Sequence, residues 1–167
     1  LVKEPGSSIV TPWHQDQPYY CTSGNQTISF WIPLDTISLN NTLSCISGSH
    51  NWGKLHKPKR FDGTDLFEND NSEEVPDIDG NLDKYKILSW PVEPGDAIGF
   101  NFKTLHGAQA NTGSKFRRRV FSARWVGDDA TYVERPGRTS PPFPNHNMIN
   151  GQILRKDWFP ILYPKIN

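Results

Sequence analysis

Residues 117–126, RRRVFSARWV, form the longest of the strand-like runs that decide the fold of this chain. Successive side chains of a strand point to opposite faces, so the odd-numbered and even-numbered residues of this run form two separate rows. Shorter runs bounded by turn residues lie at 8–14, 27–34, 42–46, 85–90 and 96–102. Helical periodicity is almost absent. Many short strands without intervening helices predict an all-β fold, an antiparallel sandwich or jelly roll.

The size and charge of the chain narrow the class of protein. Its 167 residues are enough for one domain with a core of ordinary size. Lys and Arg number 18, as do Asp and Glu, and this zero net charge argues against nucleic acid or an anionic membrane as the main partner. No apolar run approaches the ~20 residues of a membrane span. The two cysteines, Cys21 and Cys45, predict reduced thiols and a cytoplasmic protein.

The first residues carry neither a signal-peptide pattern nor an initiator methionine. We therefore expect residues 1–167 to form a single domain that lacks its N-terminal portion. One sheet face, rich in aromatic residues from runs such as ISFWI (28–32) and VFSARWV (120–126), would then lack its cover. Six prolines between residues 136 and 164 predict an irregular tail that wraps the core.

A charged insertion interrupts the strand pattern at residues 51–84. Nine acidic residues and no Lys or Arg lie between Phe61 and Asp83, and a basic cluster, Lys54 to Arg60, comes directly before them. The acidic half has too little apolar surface to be a core element. We expect a mobile loop that lies over or beside the mouth of a site.

Possible metal ligands stand at the ends of two strand-like runs. His14 and Asp16 lie two residues apart, so their side chains point to the same side of an extended chain. His106 follows the run at 96–102 and can complete a set of two histidines and one carboxylate on one face of a metal. Such a set leaves positions open and suits non-haem Fe(II) that reacts with O₂, although the same ligands also bind zinc.

An arginine placed eleven residues after His106 offers a site for an anion. Turn residues 111–113 allow the chain to fold back, so Arg117 begins the next strand. Its guanidinium can hold a carboxylate through two hydrogen bonds, which a lysine does less well. Alternation lets either Arg117 and Arg119, or Arg118 alone, face the interior.

Together these segments resemble the phytanoyl-CoA dioxygenase family of Fe(II)/2-oxoglutarate-dependent oxygenases. The resemblance runs through LVKEPGSSIVTPWHQDQPYY, TISFWIPLD, TLSCISGSHNWG, PGDAIGFNFKTLHGAQANTG and FRRRVFSARWVGDD, and DWFPILYP is similar to the family's closing segment. It covers most of the chain except the acidic insertion, with the motifs in the family's order and spacing. It implies a double-stranded β-helix, which is a jelly-roll variant.

The resemblance also implies roles for individual residues. His14, Asp16 and His106 would be the iron ligands and the catalytic residues, and Arg117 would grip the distal carboxylate of 2-oxoglutarate. Trp31 falls where family members place a tryptophan that contacts this cosubstrate.

Two further positions bear on the chemistry that the resemblance implies. Relatives that halogenate replace the ligand carboxylate by a small residue, so Asp16 favours hydroxylation. Family members carry a hydroxyl two residues after the distal histidine, whereas this chain has Ala108 there. Another group must therefore supply that hydrogen bond.

We therefore expect an oxygenase that uses Fe(II), 2-oxoglutarate and O₂ to hydroxylate an aliphatic C–H bond of a small molecule, releasing succinate and CO₂. The side chains expected to contact that substrate are Gln15, Tyr19, Tyr20, Phe100 and Phe121. Phe121 shares the odd-numbered row with Arg117, so both are expected to face inward.

The substrate itself is left open, since the family acts on acyl-CoA thioesters, compatible solutes and varied metabolites. The basic cluster Lys54 to Arg60 is either a solvated loop or a contact for an anionic substrate such as a CoA phosphate. Two alternative functions are a jelly-roll binding module without turnover and a zinc-dependent hydrolase. A buried arginine after the distal histidine favours the oxygenase, because neither alternative needs one.

Overall fold

The computed structural model of the chain describes residues 1–68, 70–113 and 115–163. Within these ranges lie ten strands and four short 3₁₀ segments. The strands are β1 (Val2–Lys3), β2 (Thr11–His14), β3 (Thr22–Ser23), β4 (Thr27–Pro33), β5 (Leu43–Ile46), β6 (Ile87–Ser89), β7 (Ile98–Phe100), β8 (His106–Ala108), β9 (Arg118–Val126) and β10 (Thr131–Tyr132). The 3₁₀ segments are Gln17–Tyr19, Leu39–Asn41, Ser49–Asn51 and Asp79–Lys84. Each strand-like run of the sequence contains one strand, shorter than the run, and β1, β3, β8 and β10 lie outside the runs.

Two four-stranded antiparallel sheets enclose the main core. One sheet has the order β1-β9-β4-β7 and the other β2-β8-β5-β6, and β10 pairs separately with β3. In the β4–β9 ladder, Thr27 lies opposite Val126 at one end and Pro33 opposite Val120 at the other. Buried side chains of both sheets pack together between them: Trp31, Leu43, Cys45, Ile98, Ala108 and Val120. This arrangement confirms the predicted jelly-roll class.

The register of β9 decides which of its side chains face the core. Arg118 pairs with Lys3 across the β1–β9 ladder and is buried, whereas Arg119 and Phe121 are exposed. The even-numbered row therefore faces inward, and the prediction that Arg117 and Phe121 face inward is wrong. The reason is that the strand begins opposite β1, a partner at the other end of the chain that the local sequence does not reveal.

The charged insertion contributes to the core at two points. Ile78 packs against Ile46 and Leu105, and Phe67 is also buried. The prediction that the acidic half of the insertion lies outside the core is therefore wrong for these side chains. Burying even one large apolar side chain stabilises by about 1.5–3 kcal/mol, which is enough to anchor a polar loop.

The basic and acidic halves of the insertion neutralise each other. Lys54 pairs with Glu73 at 2.8 Å and Lys59 with Glu74 at 2.8 Å. Lys57 lies 3.4 Å from the same Glu74 carboxylate. Exposed pairs of this kind stabilise by only about 0–1 kcal/mol. They nevertheless leave the basic cluster with little net charge, which favours a solvated, self-paired loop over a contact for CoA phosphates.

The outer face of the β4–β9 ladder is apolar and partly exposed. Ile32 lies opposite Phe121 and Ile28 opposite Trp125, and both aromatic side chains are exposed. The described part of the C-terminal tail packs elsewhere, around Cys21. Within the described ranges, this outer face therefore presents exposed aromatic side chains.

The remaining general predictions concern the tail, the cysteines and membranes. Between residues 136 and 163 the tail forms no regular strand or helix, as predicted, and its last four residues lie outside the described ranges. Cys21 and Cys45 are free and buried. None of the described helices has the length and apolar character that a membrane crossing requires.

Candidate active site

Strands β2 and β8 bring three potential metal ligands together. Their antiparallel pairing puts His14 opposite His106, and Asp16 follows directly after β2. The Oδ1 atom of Asp16 lies 3.9 Å from Nε2 of His14 and 3.8 Å from Nε2 of His106. Ligand atoms of the three residues all lie within 4.8 Å of one another. The structure thus places the three predicted ligands around one point.

A hydrogen bond to the backbone orients each imidazole. Nδ1 of His14 lies 2.7 Å from the carbonyl oxygen of Pro12, and Nδ1 of His106 lies 2.9 Å from that of Thr104. A carbonyl oxygen only accepts, so Nδ1 is protonated and donates in both rings. Nε2 of each ring then keeps its lone pair for a metal, which is the usual arrangement of a ligating histidine.

The two oxygens of the buried Asp16 carboxylate have different surroundings. Oδ1 faces the imidazoles and accepts a hydrogen bond from the hydroxyl of Tyr20 at 3.3 Å. Oδ2 accepts a hydrogen bond from the hydroxyl of Ser29, and Nε of Arg124 lies 3.5 Å from it. Ser29 and Arg124 are paired across the β4–β9 ladder. The sheet therefore fixes the partners of Oδ2 and leaves Oδ1 to face a metal.

The protonation states of the triad suit a cation at neutral pH. Burial lowers the pKa of both histidines, that of His106 to about 3, so both rings are neutral. Burial alone would raise the pKa of the Asp16 carboxyl. The charges that the two histidines gain when protonated in acid, the Arg124 guanidinium and the hydrogen bond from Ser29 outweigh it and hold the pKa below its ordinary value. Two neutral imidazoles and one carboxylate fit the ligand set of a non-haem iron centre, and they also fit zinc.

The triad lines a cavity of about 840 Å³, which is large enough for a cosubstrate and a small molecule together. Four of the predicted contact residues also line it: Trp31, Tyr19, Tyr20 and Phe100. The ring of Phe100 packs against His106 at a tilt of 47°, with 4.4 Å between the ring centroids. Phe121 lies on the outer face of the sheet instead.

Gln15 points away from this cavity. Its side-chain amide donates to the carbonyl oxygens of Lys103 at 2.8 Å and Lys54 at 3.1 Å, and its oxygen accepts from the N–H of His56 at 2.9 Å. The prediction that Gln15 contacts the substrate is wrong, because neighbours along an extended chain face opposite sides. Gln15 fastens the charged insertion to the segment that carries the metal ligands.

Arg118, rather than Arg117, is the arginine that lines the cavity beyond the triad. Its guanidinium donates to the carbonyl oxygens of Asn41 and, at 3.2 Å, of Gln109. The side chain of Arg117 is half exposed and pairs with Glu4 at 3.0 Å. Of the two alternatives that alternation allows, the structure therefore has Arg118 alone facing inward.

Lys3 reaches the same part of the cavity. Its ammonium group donates to the carbonyl oxygens of Gln109 at 3.0 Å and Ala108 at 3.3 Å. Burial and the neighbouring Arg118 lower the pKa of Lys3 to about 8. Among the described residues, ion pairs of the basic side chains involve neither Lys3 nor Arg118. Two unpaired cations beside Ala108 make this part of the cavity suitable for an anion.

The sequence reasoning missed three residues of this site. Arg124 belongs to the same row of β9 as Arg118, so the correct register would have revealed it. Ser29 lies on the inward row of β4 with Trp31. Lys3 has no local signal, because only the pairing of β1 with β9 brings it into the cavity.

Comparisons with known proteins agree with this geometry. The model of the family described as Phytanoyl-CoA dioxygenase (PhyH) matches residues 1–120. A Stutzerimonas stutzeri protein, named as a probable alpha-ketoglutarate-dependent hypophosphite dioxygenase, is 29% identical over 132 residues. That match covers 76% of this chain and 43% of the relative.

Solved structures share the fold. SnoK, a non-heme alpha ketoglutarate dependent carbocyclase from nogalamycin biosynthesis, matches with a TM-score of 0.63 and 26% identity over 93% of this chain and 56% of its own. The epimerase SnoN from the same biosynthesis matches with a TM-score of 0.66 and 19% identity over 93% of this chain and 57% of its own. The chain thus spans about half the length of the relatives that it matches.

Proposed function

Because the chain belongs to the phytanoyl-CoA dioxygenase family, we propose that it carries the active centre of an Fe(II)- and 2-oxoglutarate-dependent oxygenase. The reaction that we propose is hydroxylation of an aliphatic C–H bond in a small molecule. The observation that carries the proposal is the convergence of His14, Asp16 and His106 in a cavity that also holds the buried Arg118. When bound, iron with 2-oxoglutarate and O₂ supplies the oxidant, and succinate and CO₂ are the co-products.

The triad residues would hold the iron, each through one atom. His14 and His106 would bind through Nε2, since Nδ1 of each ring donates to a backbone carbonyl. Asp16 would bind through Oδ1, while Ser29 holds Oδ2. Three protein ligands on one side would leave the metal accessible to its cosubstrates from the cavity.

Arg118 would bind the distal carboxylate of 2-oxoglutarate, the role that the family resemblance implied for Arg117. Its burial strengthens a charge-assisted hydrogen bond, because little water competes for the anion. Lys3, beside Ala108, would supply the contact for which other family members use a hydroxyl. Trp31 would form a wall of the same pocket, since it is buried and lines the cavity.

The names of the relatives bear on the type of reaction. One is named as a dioxygenase, one as a carbocyclase and one as an epimerase, so similar centres serve several outcomes. Asp16 keeps the third ligand position, which favours hydroxylation over halogenation for this chain. A zinc-dependent hydrolase would use the same triad, but it would have no use for the two neighbouring cations Lys3 and Arg118.

Anaerobic binding and turnover test this proposal. The protein should bind one Fe(II), and 2-oxoglutarate should then produce a charge-transfer absorption band. Aerobic incubation should release succinate even without a substrate, through slow uncoupled turnover. His106→Ala should abolish all three signals, while the matched variant His50→Ala, at an exposed histidine outside the cavity, should retain them. Activity with Zn(II) and none with Fe(II) would refute the oxygenase.

A further inference from the structure

Arg124 is a cation that lines the cavity and binds neither the metal nor 2-oxoglutarate in the proposed function. It belongs to the inward row of β9 and lines the cavity. Its Cζ atom lies 5.1 Å from the centroid of the Tyr20 ring, and its Nε lies 3.5 Å from Oδ2 of Asp16. The side chain is 34% exposed. The guanidinium is thus held on two sides beside the triad and stays accessible from the cavity.

Arg124 has more donors than its protein partners use. A guanidinium carries several N–H groups in a flat fork, whereas Oδ2 of Asp16 already accepts a hydrogen bond from Ser29. Within the described ranges, the recorded contacts of the Arg124 guanidinium are with Asp16 and Tyr20. The fork therefore has donors free for a ligand next to the metal position.

Arg124 and Arg118 serve different parts of the cavity. Six residues separate them on β9, so their Cα atoms lie about 20 Å apart along the strand. Arg118 contacts Asn41 and Gln109, whereas Arg124 lies beside Asp16. A cosubstrate that bridges the metal and Arg118 therefore leaves Arg124 for a second molecule.

The charges of the cavity favour an anionic second molecule. Iron and 2-oxoglutarate carry equal and opposite charges. Lys3, Arg118 and Arg124 then stand against the single carboxylate of Asp16. Other charged groups on the lining are neutralised, since Lys59 pairs with Glu74 and Glu4 with Arg117. Three cations against one carboxylate leave the occupied cavity a net charge of about +2, which a monoanionic substrate bound at Arg124 would reduce to about +1.

We propose that Arg124 is the substrate anchor of this site and that it binds a two-oxygen oxyanion, of carboxylate geometry, on the primary substrate. The fork would hold both oxygens, and the cation–π contact with Tyr20 would fix its plane. An anchor so close to the triad would determine which C–H bond faces the metal. This inference rests on the proposed function, because it assumes that 2-oxoglutarate occupies the Arg118 pocket.

Weak-ligand binding tests the inference without turnover. The protein would be loaded with Mn(II) and saturating 2-oxoglutarate, so that the Arg118 pocket is filled. Straight-chain monocarboxylates from propanoate to octanoate, each paired with its primary amide, would be titrated while Mn(II)-induced broadening of their proton resonances is followed. Carboxylates should bind in preference to amides. Arg124→Gln should weaken carboxylate binding about tenfold to hundredfold, and Arg124→Lys should weaken it less.

Two variants separate an anchor from a group that only positions Asp16. Ser29→Ala removes the other partner of Oδ2 but keeps the cation, so it should lower Mn(II) loading while the carboxylate preference remains. Arg119→Gln changes an arginine of the outward row that pairs with Asp35 and should alter neither.

Several results would overturn the inference. They are the absence of a carboxylate preference in the unaltered protein, its persistence in Arg124→Gln, or an equal loss in Ser29→Ala. Mn(II) and 2-oxoglutarate binding are measured first in every variant. If the unaltered protein binds neither, the proposed function fails and this inference falls with it. If it binds both without a carboxylate preference, this inference alone is wrong.

Discussion

Replacing Arg118 by glutamine should weaken 2-oxoglutarate binding far more than replacing Arg117. Arg118 is only 6% exposed, so water would compete little for the anion that it holds. Loss of a hydrogen bond to a charged group costs about 1.5–3 kcal/mol, which corresponds to a rise of about 10- to 150-fold in the dissociation constant. Arg118→Lys keeps the charge without the fork and should fall in between.

The same change at Arg117 should leave cosubstrate binding within about twofold of the unaltered protein. Arg117 is half exposed and paired with Glu4, and an exposed pair of this kind stabilises by about 0–1 kcal/mol. Arg117→Gln is therefore a matched control of the same residue type, one position away. The expected effect of Arg117→Gln on the protein is a small decrease in the free energy of unfolding.

Anaerobic titration of the Fe(II)-loaded variants with 2-oxoglutarate, followed by absorption, measures both constants. Thermal unfolding of each variant should be measured alongside the titration. Glutamine at position 118 offers the carbonyl oxygens of Asn41 and Gln109 fewer hydrogen-bond donors than Arg118 does. The reasoning is refuted if Arg117→Gln weakens binding and a folded Arg118→Gln does not. That result would place the strand register of β9 one residue away from the structure.

Three further predictions concern other groups of the site. His14→Ala, Asp16→Ala and His106→Ala should each lose Fe(II) binding by calorimetry, because a three-ligand centre tolerates the loss of one ligand poorly. Affinity for 2-oxoglutarate should fall as the pH rises through about 8, because Lys3 then loses its proton and the charge that attracts the anion. The Lys3→Met variant should bind 2-oxoglutarate more weakly, and its affinity should not fall over this pH range. Gln15→Leu should destabilise the protein by about 1–3 kcal/mol and speed proteolytic cleavage within the charged insertion.

Each of these three predictions would be contradicted by a specific result. Retained Fe(II) affinity in any alanine variant would remove that residue from the triad. A pH dependence unchanged in Lys3→Met would assign the titration to another group. Because the bound anion raises the pKa of Lys3, the fall in affinity should begin near pH 8 and level off only above the higher pKa of the complex. Unchanged cleavage in Gln15→Leu would mean that buried apolar contacts such as those of Ile78, and not Gln15, hold the insertion in place.

Local sequence patterns predicted the parts of the structure that depend on local geometry. His14 and Asp16 share a side because an extended chain alternates, and the strand-like runs contained their strands. The same alternation should have excluded Gln15 from the pocket, since it lies between the two ligands. The sequence therefore contains the signal that places Gln15 outside the pocket.

The other side-chain placements depend on pairing between strands that are far apart in sequence, and no local pattern predicts such pairing. The inward row of β9 follows from its pairing with β1, so Arg117 and Phe121 were placed on the wrong face. Lys3 enters the cavity through the same pairing. Ile78 lies within an acidic stretch whose average composition predicts solvent exposure, yet its side chain is buried in the core.

The pairing of β2 with β8 has a consequence for how the chain folds. Gln15 directly follows His14 and Lys103 lies three residues before His106, and the two are 88 residues apart in sequence. The ligand set is therefore complete only after about half of the 167-residue chain forms a closed loop. Closing such a loop is entropically costly and slow compared with local contacts. Partly folded or partly synthesised chains that lack β8 would have His14 and Asp16 without His106. Such chains would hold iron weakly, so redox-active metal would become tightly bound only once the surrounding cavity has formed to contain its chemistry.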